Sequence, residues 1–551
     1  MIKPEEHMEK IIIIGAVAAG TSAGAKARRN NENIGITIYE KDDFISYSGC
    51  GMPYFIGGEV DNIDELTPRD PSFFKKKYNI DVKTGHEVIY IDSMNKQVTV
   101  RNLYTQEEFI DEYDKLIIAT GSKPFKPNIL GIDNKNVFFL RNIKDATRIK
   151  TYINTNKPTN AIIAGTGFIG FEVLENLLNL GITVTIVEVS KKITPNLDLD
   201  MSLYLENELT KKGLEILKDT AITSISNNSV NLTNGKEIYA DLIILSTGVT
   251  PNTDLAQKSG IELGISKAIK VDNTMRTNIK DIFACGDCIE TYSSITEKPV
   301  YRPLGSTANK TGRIAGDSAT GGRLQYKGNL GTGIFKFLDL TVATCGLSEK
   351  EAIDNGYDIE ICHNIKPNKP AYMGGQEMII KALADKATGR LLGVQIIGSE
   401  GVDKRIDVFA TLITYKASVD ELFHLDLAYA PPFSTTKDPI HYTGMILDNA
   451  INYKRGIITT EQLTKINEDI QIIDARSTKD FENKGSVKNA INIPQAKLRS
   501  ESEKLDKDTL TITYCNKGVT GNAAQNILIN QGFKKVLNLS GGHKFYKATI
   551  K

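Results

Sequence analysis

One cysteine of the chain stands between two glycines, in the stretch Ile45–Pro53 that reads ISYSGCGMP. Glycines on both sides leave the Cys50 sulfur uncovered, and the thiolate is the reactive form of cysteine. A helix that begins after Cys50 would direct its free N–H groups at the sulfur and lower the pKa of the thiol. The pattern therefore predicts a reactive thiol, and the alternative is a small buried cysteine in a turn.

A glycine-rich turn between a predicted strand and a predicted helix has the spacing of a dinucleotide site. Gly165, Gly167 and Gly170 fit G-x-G-x-x-G, in which backbone N–H groups approach a pyrophosphate. Glu188 ends the next strand, where its carboxylate would accept hydrogen bonds from a ribose 2′-hydroxyl and repel a 2′-phosphate. This favours NADH as the cofactor, although the lysine pair at 191–192 leaves NADPH open.

The same strand–turn–helix pattern occurs earlier, in IIIIGAVAAGTSAGAKARR. Gly15 and Gly20 hold the outer positions of the motif, while Val17 replaces the middle glycine. Glu40 closes the following strand at the distance expected of a ribose-binding carboxylate. A second dinucleotide site is therefore predicted, with an ordinary strand–helix turn as the alternative.

Later segments supply further candidate cofactor contacts. The strand 116–119 runs into Thr120-Gly121, and Gly286-Asp287 follows another strand. A glycine at such a place lets the chain pass close to a ribityl phosphate, and an aspartate accepts hydrogen bonds from a ligand hydroxyl. Gly248 is assigned to the same cofactor-binding group.

The composition excludes several classes of function. The 551 residues contain 67 Lys+Arg and 67 Asp+Glu, so no net field attracts nucleic acid or a membrane. No signal-peptide pattern or long apolar run is present, and six dispersed cysteines indicate reduced thiols, so a cytoplasmic protein is expected. No metal site is predicted. Because the folded pattern begins after Met8, residues 1–7 are interpreted as a leader or an upstream start.

The order of predicted elements indicates an α/β protein of several domains. Two Rossmann-like dinucleotide-binding domains are followed by an α+β domain and a small C-terminal α/β domain. The predicted limits are 8–120 and 248–325 for the first dinucleotide-binding domain, 121–247 for the second, 326–448 for the α+β domain, 449–455 for a linker and 456–551 for the last domain.

Residues 10–448 resemble the flavoprotein family of FAD- and NAD-linked pyridine nucleotide-disulfide oxidoreductases. The motifs GAVAAG, ATGS, GTGFIG and FACGD occur in that order. The resemblance implies FAD in the first domain, near Glu40, Thr120 and Asp287, and NAD(P)H at the turn 165–170. It also implies that the α+β domain forms a homodimer.

The stretch SYSGCGMPYFIGG further resembles the coenzyme A-disulfide reductases, whose lone cysteine forms a mixed disulfide with CoA. Related NADH oxidases and peroxidases use such a cysteine as a sulfenic acid. In those peroxidases a histidine of the first glycine-rich turn faces the sulfur, and Ala18 stands at that position here. Ala18 therefore favours CoA-linked substrates over peroxide.

The same resemblance implies residues that contact substrate. Arg29 and Ser46 would meet the nucleotide or the pantetheine arm of CoA, and Asn309 would lie near its thiol end. A second subunit would contribute Tyr429 and Lys437. Tyr372 is the expected second tyrosine, which could donate a proton to a leaving thiolate; a structural ring in the dimer interface is the alternative.

The C-terminal segment resembles a single rhodanese domain, with the matching text IIDARSTKDFENKGSVKNAINIP and TYCNKGVTGNAAQNILINQGF. Cys515 ends a strand and opens a loop whose N–H groups can surround its sulfur, so it is the predicted carrier of sulfane sulfur. Rhodanese loops commonly have an arginine where Thr520 stands, and Lys517 is a candidate for the missing charge. The alternative is an inactive rhodanese fold that binds a partner.

Together these resemblances imply a fusion of a coenzyme A-disulfide reductase with a rhodanese domain. The expected reaction is reduction of CoA disulfide, CoA persulfide or polysulfide by NADH, through FAD and Cys50, with Cys515 handling sulfane sulfur. Two alternatives are an NADH oxidase or peroxidase, and a flavin redox sensor whose rhodanese domain binds a partner.

Overall fold

The computed structural model describes residues 8–550, so the interpretation of residues 1–7 lies outside the described residues. These residues form two compact units. The first contains the described residues up to Val187 together with Thr220–Gly331, and the second contains Glu188–Asp219 together with the described residues from Thr332. Within residues 8–550, none of the helices has the length and apolarity that a membrane crossing requires.

Short strands and helices alternate along most of the chain. Residues 8–187 contain β1 Lys10–Ile14, α1 Ala18–Asn30, β2 Gly35–Tyr39, α2 Met52–Gly57, α3 Pro71–Tyr78, β3 Asp81–Lys83, β4 His86–Asp92, β5 Gln97–Asn102, β6 Glu108–Glu112, β7 Lys115–Ile118, β8 Ser122–Pro124, β9 Val137–Phe138, α4 Ile143–Asn156, β10 Asn160–Ala164, α5 Phe168–Asn179 and β11 Thr183–Val187. Residues 188–331 contain α6 Leu199–Lys211, β12 Glu215–Leu217, β13 Ile222–Ile225, β14 Ser229–Leu232, β15 Glu237–Tyr239, β16 Leu242–Leu245, β17 Val249–Pro251, α7 Asp254–Lys258, β18 Ile282–Ala284, β19 Thr291–Tyr292, β20 Pro299–Val300 and α8 Gly305–Ala319. Residues 332–550 contain β21 Gly333–Phe337, β22 Leu340–Gly346, α9 Glu349–Asp354, β23 Ile359–Pro367, β24 Glu377–Asp385, β25 Leu391–Gly398, α10 Val402–Thr414, α11 Pro439–Ile451, β26 Ile457–Ile458, α12 Thr460–Thr464, β27 Ile470–Asp474, α13 Thr478–Lys484, β28 Ile491–Asn492, α14 Gln495–Glu501, β29 Leu510–Tyr514, α15 Val519–Asn530, β30 Val536–Leu539 and α16 Gly542–Thr549.

The first unit is built on parallel sheets. One has the strand order β18-β7-β1-β2-β3, and a second contains β11, β10, β16 and β9 in that order. The strand β1 is a run of four isoleucines because both faces of a central parallel strand are covered. Helix α1 packs against α8, and the described residues of the unit also form four small antiparallel sheets, β4-β5-β6, β13-β14-β15, β8-β17 and β19-β20.

The second unit contains an antiparallel sheet with the order β21-β22-β25-β24-β23 and a parallel sheet with the order β26-β30-β29-β27-β28. Side chains of β23 point alternately to the two faces of the sheet, so Asn364 faces α11. There its side-chain N–H donates to the Pro439 carbonyl at 2.8 Å. A buried cation, Lys381, lies on the opposite face of the antiparallel sheet and pairs with three carboxylates, Asp198, Asp200 and Glu349.

The predicted fold class is confirmed. Two sets of parallel strands carry the glycine-rich turns, the α+β segment forms an antiparallel sheet with helices, and the last segment forms its own parallel α/β sheet. The parallel connections place every candidate turn at the carboxyl end of a strand, which is where ligands bind in such sheets.

Candidate functional site

Three neighbouring parallel strands of the first sheet end at the same edge. Because β1 lies between β7 and its neighbour β2, and β18 lies beside β7, the turns that follow β1, β7 and β18 converge there. These turns carry Gly15, Thr120 and Asp287. The structure thus brings together three predicted cofactor residues that lie far apart in the sequence.

Backbone packing requires glycine at both ends of the first turn. Gly15 has φ 106°, and a Cβ there would lie 2.3 Å from the Ala119 carbonyl oxygen. A Cβ on Gly20 would lie 1.8 Å from the Gly15 carbonyl oxygen. Helix α1 begins at Ala18 without a side-chain cap, so the N–H groups of its first turn are available to a ligand anion.

Glu40, which follows β2, is buried beside this turn. Its carboxylate accepts from the Ala16 N–H at 2.8 Å and from the Asp42 N–H at 3.0 Å. Burial raises the pKa of Glu40, and the two N–H donors act in the opposite direction. The carboxylate therefore fixes the shape of the turn that a dinucleotide would contact.

The other two turns are held by polar contacts. The Thr120 hydroxyl donates to the Asn252 carbonyl at 2.8 Å, and Gly121 has φ 65°. Asp287 accepts from Arg141 Nη2 at 3.1 Å. At Gly286 the φ is 82°, and a Cβ would lie 2.7 Å from the Cβ of Ala19. This turn consequently lies directly against the start of α1.

The second glycine-rich turn, between β10 and α5, has the same construction. Gly165 has φ 101°, with the Ser246 carbonyl oxygen 2.4 Å from the place of a Cβ, and a Cβ on Gly170 would lie 2.3 Å from the Gly165 oxygen. Gly167 differs, since no described residue lies within 4 Å of the place of its Cβ, and Gly248, with φ 99°, is equally open. The outer glycines serve packing, while the middle one leaves room for a ligand.

Glu188 belongs to the second unit, where it is buried and accepts from the Ser190 N–H at 2.8 Å. Of the two lysines that left NADPH open, Lys192 hydrogen-bonds to the Leu197 carbonyl, and burial lowers its pKa. Lys191 is exposed. One of the two candidate phosphate-binding cations is thus already engaged.

Cys50 lies in a 3-10 turn, Gly49–Gly51, and is a free, exposed cysteine. Four residues earlier, the Ser46 N–H donates to the Ala16 carbonyl at 2.8 Å, which ties this loop to the first glycine-rich turn. Gly51 allows the loop to pass close to Leu66, since a Cβ there would lie 2.4 Å from Leu66 Cδ2. The sulfur is therefore accessible, and its loop is bound to the first glycine-rich turn; the reactivity of the thiol stays a prediction.

The surroundings of Cys50 raise the pKa of its thiol. Loss of hydration is the largest cause, the negative charges of Glu172 and Asp287 come next, and Arg141 acts in the opposite direction. A helix does begin after Cys50, at Met52. The expected lowering of the pKa is nevertheless wrong, because desolvation and the two carboxylates outweigh the favourable charges.

A cavity of about 320 Å³ opens on the first unit between α1, α3 and α8. It contains two residues that were assigned to substrate, Arg29 and Asn309, together with Arg69, Lys77 and Arg313. No carboxylate lines the cavity, and among the described residues none of its four cations forms an ion pair. Such a site suits a ligand that carries several negative charges.

The rim of this cavity includes aromatic rings. The Arg69 guanidinium lies 5.6 Å from the Phe73 ring centre, and the Lys77 ammonium lies 5.3 Å from the same centre. Rings beside phosphate-binding cations are the groups that bind a nucleotide base and its phosphates. Sequence reasoning missed Arg69, Lys77 and Arg313; the spacing of Asn309 and Arg313, one turn apart on α8, was the available signal.

The other substrate residues are not in this cavity. Ser46, with φ 48°, is in the Cys50 loop. Tyr372, Tyr429 and Lys437 belong to the second unit; Tyr372 is 76% exposed and Tyr429 is 48% exposed. Asp438, the residue after Lys437, is held by a buried ion pair in which Arg405 Nη2 lies 2.8 Å from Asp438 Oδ2. Their roles at a substrate site stay predictions.

Cys515 lies at the end of β29 and is 5% exposed. The Gly518 N–H donates to Cys515 Sγ at 3.2 Å, and the His543 N–H donates to the Cys515 carbonyl at 2.8 Å. Below the loop, Asp474 holds Arg476, whose guanidinium contacts His543 Nδ1 at 3.1 Å. Burial, with the charge of Arg476, lowers the pKa of His543 to about 4, so this imidazole is neutral at pH 7.

Lys517, the candidate for the missing positive charge of the Cys515 loop, forms an ion pair with Glu377 at the start of β24. Lys544 pairs with the same carboxylate. Glu377 thus neutralises much of the charge that Lys517 was expected to offer and fixes the loop to the antiparallel sheet. Sequence reasoning missed Glu377, because nothing near it in the chain points to the last domain.

Residues 9–302 match the sequence model of the pyridine nucleotide-disulphide oxidoreductases, which is more than half of the chain. The chain belongs to this family. Residues 332–439 match the dimerisation domain of the same family, and residues 459–549 match the rhodanese-like domain.

Several named proteins are similar to this chain over most of its length. The coenzyme A disulfide reductase of Staphylococcus haemolyticus is 35% identical over 439 residues, which is 79% of this chain and 99% of that protein. The structure of reduced CoADR-RHD from Bacillus anthracis has a TM-score of 0.96 at 35% identity, with 99% of both chains covered. The NAD-dependent persulfide reductase from A. fulgidus has a TM-score of 0.90 at 35% identity, over 97% of this chain and 99% of that one.

Pyridine nucleotide-disulphide oxidoreductases use FAD and NAD(P)H, and the residues of this chain fit both. At the first site, the N–H groups of the first turn of α1 are uncapped and can bind a ligand anion, and Gly15, Gly121 and Gly286 adopt positive φ angles that glycine takes without strain. At the second, Gly167 leaves the space that a pyrophosphate requires.

Proposed function

We propose that this chain is a homodimeric flavoprotein reductase in which NADH reduces CoA-linked sulfur through FAD and Cys50. Two observations together carry the proposal: one accessible thiol whose loop is tied to the first glycine-rich turn, and a cavity beside α1 whose four cations form no ion pair with any residue between 8 and 550. A thiol whose loop is bound to the turn before α1 and a polyanion site beside α1 suit a substrate that has a sulfur at one end and phosphates at the other.

CoA has that composition: a nucleotide with several phosphates, joined by a flexible arm to a sulfur atom. Arg29 and Arg313 would bind its phosphates, and Asn309 would lie toward the arm. The names of two similar proteins, a coenzyme A disulfide reductase and a persulfide reductase, support the same substrate class. Ala18 in the first turn leaves peroxide chemistry without the histidine that would assist it.

The proposed chemistry takes place at Cys50. Its thiolate attacks the CoA-bound sulfur of CoA–S–SH, a Cys50–S–S–CoA bond forms, and HS⁻ leaves. Bound FAD would supply the transfer of two electrons from NADH to this disulfide. Cleavage of the disulfide returns Cys50 to thiolate and frees the CoA thiolate. With CoA disulfide as substrate, the first leaving group is a CoA thiolate instead of HS⁻.

Cys515 is proposed to accept, carry or release sulfane sulfur as a persulfide. The Gly518 N–H that already donates to its sulfur supports this role, since the same donor would stabilise a terminal persulfide anion. Polysulfide and CoA persulfide are the proposed donors and acceptors. We place the protein in the cytosol, where thiols stay reduced, and we propose the domain limits given under Sequence analysis.

The test is steady-state oxidation of NADH with CoA disulfide, CoA persulfide, polysulfide and peroxide. We expect Cys50→Ser to abolish reduction of every CoA-linked substrate and Cys515→Ser to affect only the sulfane sulfur substrates. Ser48→Ala, an exposed change in the same loop as Cys50, is the matched control. Undiminished turnover of CoA persulfide in Cys50→Ser, or faster turnover of peroxide than of any CoA substrate, contradicts the proposal.

A further inference from the structure

Segment 540–544 joins β30 to the first turn of α16 and supports the loop of Cys515. The His543 N–H donates to the Cys515 carbonyl at 2.8 Å. Gly542 passes so close that a Cβ there would lie 2.5 Å from the Cys515 carbonyl oxygen. Because the Gly518 N–H of the same loop donates to the Cys515 sulfur, segment 540–544 fixes the backbone that carries both groups.

This segment is held from outside the rhodanese-like domain by His363, a residue of β23. The His363 N–H donates to Ser540 Oγ at 2.7 Å, and the imidazole Nδ1 lies 3.1 Å from the same oxygen. The imidazole also stacks on Phe545, with the ring centres 4.2 Å apart. The two backbones approach closely, since a Cβ on Gly541 would lie 3.2 Å from His363 Cβ. One side chain of the antiparallel sheet therefore contacts both ends of the turn that supports Cys515.

The other side of the His363 imidazole contacts a cluster of buried charges. Its Nε2 lies 2.7 Å from Asp200 Oδ2. Lys381, the cross-strand partner of His363 in β24, donates to the two Asp200 oxygens at 2.9 and 3.0 Å. The imidazole is fully buried, so its orientation is fixed by these contacts. The ring thus connects charged groups of α6 and β24 to the hydroxyl of Ser540.

We infer that His363 is a positioning residue for Cys515, which acts through Ser540 on the segment that supports the Cys515 loop. The α+β domain would then complete the sulfane sulfur site of the rhodanese-like domain. His363 takes no part in making or breaking bonds. Its contact with Ser540 keeps the His543 and Gly518 N–H groups in the positions that hold the loop and the sulfur.

This inference rests on the proposed function, in which Cys515 takes up sulfane sulfur. In that step the Cys515 thiolate attacks the outer sulfur of a persulfide or polysulfide, R–S–SH. A Cys515–S–SH bond forms, the bond between the two donor sulfurs breaks, and the thiolate R–S⁻ leaves with the electron pair. The attack requires a fixed direction of approach, so a loop that moves would slow the transfer.

The two ring nitrogens of His363 can be tested separately, because the side-chain amide of Asn can replace Nδ1 and that of Gln can replace Nε2. His363→Asn retains a polar group toward Ser540, and His363→Gln retains one toward Asp200, while both lose the stacked ring. The assay mixes oxidised holoenzyme with inorganic polysulfide, without NADH, and follows persulfide at the Cys515 peptide by mass spectrometry after alkylation. We expect a rate within about twofold of wild type for His363→Asn and a rate about three- to tenfold lower for His363→Gln, which is the effect of one lost hydrogen bond.

Ser540→Ala removes the same contact from the other side and decides the question even where a change at the buried His363 prevents folding. We expect it to slow the loading of Cys515 at least as much as His363→Gln does. The double variant should be no slower than Ser540→Ala alone, because two residues that act through one contact are not additive. Ser500→Ala, at an exposed serine of the same domain, is the matched control. Reduction of CoA disulfide by NADH should be unchanged in every variant, since that reaction uses Cys50.

A second measurement requires no sulfur transfer. Hydrogen exchange at the His543 and Gly518 amides, read by mass spectrometry, should be faster in His363→Gln and Ser540→Ala and unchanged in His363→Asn. Equal effects of His363→Asn and His363→Gln, or wild-type loading and exchange in Ser540→Ala, overturn the inference. An equal loss of CoA disulfide turnover also overturns it, since the damage would then extend to the whole fold. Failure of the proposed function would appear instead as wild-type Cys515 that never carries a persulfide, and the exchange rates would still decide the role of His363.

Discussion

From the cationic cavity we predict that Arg29→Ala and Arg313→Ala lower kcat/KM only for substrates that carry the nucleotide of CoA. Both guanidinium groups line the cavity and are exposed. Fully formed hydrogen bonds to charged groups contribute about 1.5–3 kcal/mol, whereas exposed ion pairs contribute about 0.2–1 kcal/mol. An intermediate value of about 1–2 kcal/mol for each arginine corresponds to a loss of about 5- to 30-fold in kcat/KM.

The assay compares kcat/KM for CoA disulfide with kcat/KM for pantethine, a disulfide that has the same arm but no nucleotide. Wild type, Arg29→Ala and Arg313→Ala are measured beside Arg323→Ala, a control that removes an exposed arginine outside the cavity. We expect the loss with CoA disulfide alone, and we expect added salt to reduce the difference between wild type and variants, because salt screens exposed charges.

Two results would refute this reasoning. Equal losses for both disulfides would mean that the arginines act on the fold or on the reaction and not on the nucleotide. An equally large loss in Arg323→Ala would mean that the general positive field, rather than the cavity, attracts the substrate.

Three further predictions concern the glycine-rich turn of the second dinucleotide site, the buried charges around Lys381 and the protonation of His543. Gly167→Ala should fold normally but raise the KM for NADH, since its Cβ meets open space, whereas Gly165→Ala should lower the melting temperature, because its Cβ would lie 2.4 Å from a backbone oxygen. Lys381→Met should cost about 3–5 kcal/mol in a denaturant titration by leaving buried carboxylates unpaired, against about 0.5 kcal/mol or less for Lys386→Met, whose ammonium is partly exposed. Since the pKa of His543 falls from 6.5 to about 4 on folding, the unfolded chain binds more protons between these values; the midpoint of rhodanese-domain unfolding should therefore decrease as the pH falls from 6.5 to 4, and less so in His543→Gln.

Local spacing was sufficient to predict the glycine-rich turns and the exposure of the Cys50 thiol. Glycines at positions 165, 167 and 170 follow a buried strand, and in parallel sheets this pattern is typical of dinucleotide binding. Cys50 could be recognised because its neighbours are glycines, whose lack of a side chain is visible in the sequence. The charge of its surroundings could not, since Glu172 and Asp287 approach the thiol from distant parts of the chain.

Three of the four cations of the cavity, Arg69, Lys77 and Arg313, escaped prediction for a similar reason. Arg29 and Asn309 were found by resemblance, but Arg69 lies just before α3 and Lys77 lies within it, and this segment carries no motif. Lys517 was correctly noticed as a basic residue of the Cys515 loop. Its ion pair with Glu377 joins residues 140 positions apart, and no periodicity encodes such a distance.

What the sequence determined by itself is the kind of chain: two glycine-rich nucleotide turns, one uncovered cysteine and a second cysteine in an added domain. These features depend on backbone conformation and on neighbours within a few residues, so the order of residue types is enough to specify them. The tertiary structure decided which charges meet. Electrostatic interactions act through space, and only the folded chain brings Glu172 to Cys50, Glu377 to Lys517 and four cations to one cavity.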